Sequence, residues 1–189
     1  MPRLFTGIEL PEDVIGRLSM LRAGLSGAHW IDPDNYHITM RFVGDISDDE
    51  ANQFADALAG VSFDSFDIEL SGLGSFGGNK PRAIWAGVKP SPELEHLQKA
   101  HERAARLAGL PPEKRNFVPH VTLARLRNVS PFSAAEYLAR YGGFFTAPFE
   151  VTRFVLFSSR PNHGGGPYVV EEDYPSRDTA YLEDGEAAA

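Results

Sequence analysis

Phe117-Val118-Pro119-His120-Val121-Thr122-Leu123-Ala124-Arg125 has an earlier counterpart in the same chain, Tyr36-His37-Ile38-Thr39-Met40-Arg41-Phe42-Val43-Gly44. Both read His, β-branched residue, Thr, large apolar residue. Residues two apart on a strand point to the same face. Each copy therefore sets an imidazole beside a hydroxyl, with its aliphatic partners turned the other way into a core. The copies are separated by nearly half of the 189-residue chain. Such a duplication suggests two similar lobes, each giving one His-x-Thr strand to a shared cleft.

The flanks fill in around these strands. Residues 3–10 read as a buried strand, and Pro11 then opens a helix expected to run to about residue 25, with Val14, Ile15, Leu18, Leu21 and Arg22 at helical spacing. Residues 26–35 read as a loop containing Trp30 and Ile31. Ser47 followed by Glu50 is a capping-box pattern for the next helix. Phe66, Ile68 and Leu70 alternate with Asp67 and Glu69 as on a half-exposed strand. Gly72-Leu73-Gly74-Ser75-Phe76-Gly77 matches the dinucleotide fingerprint. However, residues 82–88 form another strand where the fingerprint needs a helix, so the segment reads as a loop between antiparallel strands.

A helix is expected over residues 90–108, closed by Gly109, then a loop over 110–117 and a short helix from Ser130-Pro131. Residues 149–158 alternate as a strand. Residues 161–167 are turn-rich, and residues 168–170 form a last short strand. The acidic, Ala-rich residues 179–189 lack periodicity and read as a flexible tail after a single bilobal domain over residues 1–178. Strands that alternate and helices that intervene argue for antiparallel sheets in an α+β fold.

Composition limits the function classes. A formal net charge of −8 argues against broad, sequence-independent nucleic-acid binding, which needs a basic face, but leaves room for a phosphate ester in a local pocket. The chain has no cysteine, so it has no disulfide framework and no thiolate chemistry. The absence of a long apolar segment makes a cytoplasmic protein with no membrane partner the expectation. A monomer with no obligate protein partner is expected.

Two imidazoles across a pocket make a general acid and a general base, since their ordinary pKa of about 6.5 lies near neutrality. Two hydroxyls can donate to phosphate oxygens, and an arginine can neutralise developing charge. That layout suits the opening of a cyclic phosphodiester without a metal or other cofactor. Zinc is the rival use for histidines, but His29, His96, His101 and His163 show no ligand spacing.

The longer strings His37-Ile38-Thr39-Met40-Arg41-Phe42-Val43-Gly44 and Phe117-x-Pro119-His120-Val121-Thr122-Leu123-Ala124-Arg125 resemble the bacterial RNA 2′,3′-cyclic phosphodiesterase (2′-5′ RNA ligase-like) branch of the 2H phosphoesterase superfamily. The opening residues 3–11 and the Arg82–Val88 stretch resemble it too, so the likeness spans roughly residues 3 to 170. One departure is Met40 in place of the usual Leu.

The resemblance implies a bilobal α+β fold of two pseudo-symmetric lobes around a central cleft. It also implies hydrolysis of 2′,3′-cyclic phosphates at RNA 3′ ends, or on small cyclic nucleotides, to 2′-phosphomonoesters. His37 would be proton donor and His120 proton acceptor, and Thr39, Thr122 and Arg125 would hold the phosphate. By simple alternation Arg125 points away from His120, so the strand must end or bulge before it. Arg41 shares parity with His37 and Thr39 and is a second candidate for phosphate or ribose. Phe42, Tyr36, Trp30 and Trp85 are candidates for stacking a base. A non-catalytic RNA-end or nucleotide-binding module and a minor 2′-5′ RNA ligation activity are the competing readings.

Overall fold

The computed structural model describes residues 2–159 and 166–180. His163, most of the 161–167 turn and the tail from residue 181 lie outside the described residues.

The strands are β1 (Arg3–Glu9), β2 (Ala28–Trp30), β3 (His37–Asp45), β4 (Phe66–Ile68), β5 (Leu70–Phe76), β6 (Ala83–Val88), β7 (His120–Leu126), β8 (Phe149–Val151), β9 (Arg153–Ser159) and β10 (Tyr168–Pro175). The helices are α1 (Glu12–Ser19), α2 (Asp48–Ala59), α3 (Pro92–Leu107) and α4 (Pro131–Tyr141). Three of the helices start on a serine whose hydroxyl takes an otherwise unpaired backbone N–H. Ser47 forms the full capping box with Glu50, and Ser91 and Ser130 cap helices with proline in the first turn.

All strand pairings are antiparallel. One sheet has the order β10-β9-β1-β3, the other β2-β7-β6-β5, and β4 pairs separately with β8. This is the expected α+β architecture of two sheets facing a cleft, but the lobes are not the two halves of the chain. The first sheet joins β1 and β3 to β9 and β10, while β2 crosses to the second sheet and pairs with β7. A repeat motif reports only the local strand; pairing is decided by which edges remain open. One continuous apolar core includes Ile8, Ile38 and Phe154 of the first sheet and Ile84, Val121 and Leu123 of the second.

Several expectations are corrected. The helix after Pro11 stops at Ser19, and Leu21 and Leu25 reach the core from the following turns, where Gly24 has φ of +77°. Residues 28–30 are a strand rather than loop, because their backbone finds a partner in β7. The 149–158 strand is broken at Thr152, whose carbonyl accepts from the Ser176 amide. The last strand runs to Pro175. Its polar residues 171–173 hide the pattern because β10 is a sheet edge and mostly exposed.

The glycine-rich segment is strand, not loop, as far as Phe76. A side chain on Gly74 would fall 2.3 Å from the Trp85 ring, so this glycine lets the indole lie across β5. Gly77, at φ of +109°, then makes the turn into β6.

His101 lies fully buried on α3, sharing a hydrogen bond of 2.7 Å with Thr6 and packing on Phe154. Burial pushes its imidazole down to about 3. A histidine depressed in the folded state takes up its proton only on unfolding. Its stabilising contribution is therefore complete above pH 6.5 and is lost as pH falls towards 3. Between pH 6.5 and 5 the loss amounts to about 2 kcal/mol. His37, depressed to about 4, acts in the same direction over the same window. Denaturant unfolding at pH 6.5 and pH 5 should show this slope, and His101→Gln should remove a large part of it. An unchanged slope in that variant would exclude His101 as its source.

Candidate active site

His37 opens β3 and His120 opens β7, and the two strands approach each other across the space between the sheets. Each ring is held the same way. The His37 Nδ1–H donates to the Asn35 carbonyl at 2.8 Å, and the His120 Nδ1–H donates to the Val118 carbonyl at 2.6 Å. In both cases the acceptor lies two residues upstream. Holding Nδ1 protonated leaves Nε2 as the titrating atom of each neutral ring. The Nε2 of His37 accepts from the Thr39 hydroxyl at 2.9 Å.

Burial lowers both imidazoles below their ordinary value. For His37, burial takes it to about 4, with the hydrogen bond to Asn35 opposing the shift and the neighbouring His120 adding to it. His120 is also lowered, chiefly by burial. Aromatic rings enclose them. His37 sits among Phe5, Phe157 and Tyr168 at centroid distances of 4.9, 5.5 and 5.2 Å. His120 meets Phe76 at 4.9 Å and Trp85 at 5.9 Å. Asn35 contributes twice, since its side-chain oxygen accepts from the Tyr168 amide at 3.3 Å and so fixes the ring beside His37.

The register explains Arg125. Opposite β6, Trp85 pairs with Thr122 and Ile84 with Ala124, so Leu123 is an extra, bulged residue. The bulge turns Leu123 and Ala124 both inward and returns Arg125 to the side of His120 and Thr122. This is the break in alternation that a role for Arg125 beside His120 requires.

β3 bulges at the equivalent place. Thr6 pairs with Arg41 and Gly7 with Thr39, leaving Met40 as the extra residue. The same geometry removes Arg41 from the histidine face and puts Phe42 where Arg125 stands on β7. Arg41 is only 7% exposed; it donates to Glu102 at 2.7 Å and also to the carbonyls of Phe42 and Pro111. The expectation that Arg41 is a phosphate or ribose contact is therefore corrected: its guanidinium is committed to α3 and the 110–113 loop.

A cleft of about 1090 Å³ runs between the sheets, lined by His37, Thr39, His120, Thr122, Arg125 and Phe42, among others. Phe42 is 37% exposed, with the Arg3 guanidinium 5.4 Å from its ring centre. The other aromatic candidates for base stacking lie elsewhere. Tyr36 is buried in the core. Trp30, opposite Ala124, packs on Tyr137, and Trp85 lies behind His120 against Phe76. Phe76 and Tyr168 line the cleft instead. Sequence reading missed both, since only strand pairing brings them to the histidines. Among the described residues no three His, Cys, Asp or Glu side chains cluster so as to hold a metal ion.

The sequence profile described as the 2′-5′ RNA ligase superfamily matches residues 11–162. The RNA 2′,3′-cyclic phosphodiesterase of Aeropyrum pernix is 37% identical over 136 residues, which is 69% of this chain and 77% of that one. The enzyme of the same name from Aquifex aeolicus is 33% identical over 150 residues, 77% and 80% of the two chains. In fold, the crystal structure of Escherichia coli LigT complexed with 3′-AMP superposes with a TM-score of 0.76 at 24% identity, covering 94% of this chain and 99% of that one.

Proposed function

Because the chain belongs to the 2′-5′ RNA ligase superfamily, we propose that it is an RNA 2′,3′-cyclic phosphodiesterase whose His37 and His120 hydrolyse the terminal cyclic phosphate to a 2′-phosphomonoester. The observation that carries this reading is the matched pair of imidazoles, each tied at Nδ1 to the carbonyl two residues upstream and each next to a threonine on a bulged strand.

The chemistry follows from that pair. The neutral Nε2 of His120 takes a proton from water as the water oxygen bonds to phosphorus. The protonated Nε2 of His37 gives its proton to the departing ribose O3′. The Thr39 and Thr122 hydroxyls donate to the non-bridging oxygens, and Arg125 balances the charge that builds on them. Proton transfer and a guanidinium supply what the step requires, so no metal enters it. The terminal base lies against Phe42. Residues 1–178 act as one unit, since a continuous core underlies both sheets.

The depressed imidazoles set the pH dependence. In the free enzyme the productive form has His37 protonated and His120 neutral. With His37 at about 4, that form is most populated on the acid side of 6.5 and declines as pH rises. A bound phosphate anion favours the protonated ring and raises its pKa. The expected outcome is a kcat/KM maximum below pH 6.5 and a kcat maximum displaced to higher pH. A kcat/KM that rises steadily from pH 6 to 9 would contradict the assignment.

The direct test incubates the protein, in EDTA, with an oligoribonucleotide ending in a 2′,3′-cyclic phosphate and reads the product by phosphorus NMR. A 2′-phosphomonoester is expected. Binding of the end without turnover would instead identify a non-catalytic RNA-end module, and loss of turnover in EDTA would remove the metal-free chemistry.

A further inference from the structure

The cleft is far more basic than the molecule. The chain carries a formal charge of −8, yet the described lining holds six arginines and a single carboxylate, Glu113. Three of the arginines are spoken for. Arg41 is paired with Glu102, Arg115 with Glu113, and Arg3 lies 3.9 Å from Asp45 and over Phe42. Arg125 stands beside the catalytic pair. Arg82 and Arg127 remain; both are exposed, and neither has an ion-pair partner among the described residues.

These two sit together. The Leu126 amide donates to the Arg82 carbonyl at 2.8 Å, and Ala83 pairs with Arg125, so Arg82 meets β7 just where Arg127 leaves it. Arg125 and Arg127 are two residues apart on an extended backbone, about 6.6 Å. That is of the order of the step between neighbouring phosphates on a single strand.

Resting on the phosphodiesterase reading above, we propose that Arg82 and Arg127 form a second anionic subsite. It takes the phosphodiester on the 5′ side of the terminal nucleotide. An RNA end offers only one other phosphate next to the cyclic one, and it is this one. The substrate class is then an oligonucleotide end of two or more residues in preference to a nucleoside 2′,3′-cyclic phosphate. Because these two arginines answer a single phosphate, and the chain as a whole carries a net charge of −8, the preference saturates at the dinucleotide.

The test compares kcat/KM for four probes: adenosine 2′,3′-cyclic phosphate, the adenylyl-adenosine dinucleotide and the trinucleotide ending in the same cyclic phosphate, and a dinucleotide whose internal linkage is an uncharged methylphosphonate. The dinucleotide should exceed the mononucleotide by about tenfold, carried by KM, as expected for charge-assisted contacts at a partly exposed site. The trinucleotide should add little. The methylphosphonate should fall back to the mononucleotide, and the Arg82→Gln/Arg127→Gln double variant should lower the dinucleotide-to-mononucleotide ratio to the same level. A methylphosphonate as good as the phosphodiester, or a ratio intact in the double variant, overturns the subsite while leaving the phosphodiesterase standing. Turnover of none of the four by the unaltered protein removes the phosphodiesterase reading itself.

Discussion

His120→Ala lowers kcat on a cyclic-phosphate RNA end by about 10²- to 10⁴-fold, the range that removal of a general base produces. His37→Ala does the same through loss of the acid. The two variants differ in stability. His120 is partly exposed and touches Phe76 and Trp85 at the cleft wall, so its removal costs little. His37 is enclosed by Phe5, Phe157 and Tyr168, so alanine there leaves a void and lowers the melting temperature as well. His37→Gln keeps most of the volume and isolates the catalytic loss. Because acid and base act in one step, the double variant should be hardly slower than either single one. Single-turnover rates on the folded variants check this. Retention of more than a tenth of the normal rate by either alanine variant would rule out the paired role.

Arg41→Ala is expected to destabilise the fold by about 3 kcal/mol, because it leaves the largely buried Glu102 with only the exposed Arg106, 3.4 Å away, as a cationic partner. For a domain of this size that is a fall of about 10 °C in melting temperature. The damage is local in origin. Arg41 and the Glu102 carboxylate, which accepts from the Glu113 amide, fasten the 110–113 loop to α3. That loop leads into Val118, whose carbonyl orients His120. Arg115 holds the Glu113 carboxyl down at about 2, so this part of the network stays charged through the working pH range. A ligand of the phosphate would behave the other way round, with activity lost and the melting temperature kept. Replacing the pair together, as Arg41→Met with Glu102→Leu, should recover much of the stability. Circular-dichroism melts of the two variants separate these outcomes.

Arg41 and Arg125 show where reading along the chain succeeds and where it stops. Strict alternation puts Arg41 with His37 and sends Arg125 away from His120. In each strand one inserted residue, Met40 or Leu123, reverses the facing of the arginine that follows. A bulge leaves little trace in composition, because the inserted residue is as apolar as its neighbours. It could be inferred for β7 only by requiring that Arg125 reach the site. The aromatic candidates divide for a related reason. Phe42 follows a bulge and reaches the cleft, whereas Tyr36 is buried in the core and the partly buried Trp30 packs against it. Phe76 and Tyr168 carry no motif at all, and they gain their place only because β5 pairs with β6 and β10 with β9.

Local pattern alone is enough for the α+β class, the start of most elements, the two histidines and the two threonines. Those follow from short-range rules: period-two alternation, serine caps, proline and glycine stops, and the i, i+2 relation that sets a hydroxyl beside an imidazole. It takes the folded chain to send β2 to the other sheet, to face Arg125 into the cleft while Arg41 clamps a loop, and to depress both imidazoles. These depend on pairing between distant strands and on burial. Both are properties of neighbours far apart in the chain, and no local pattern encodes them.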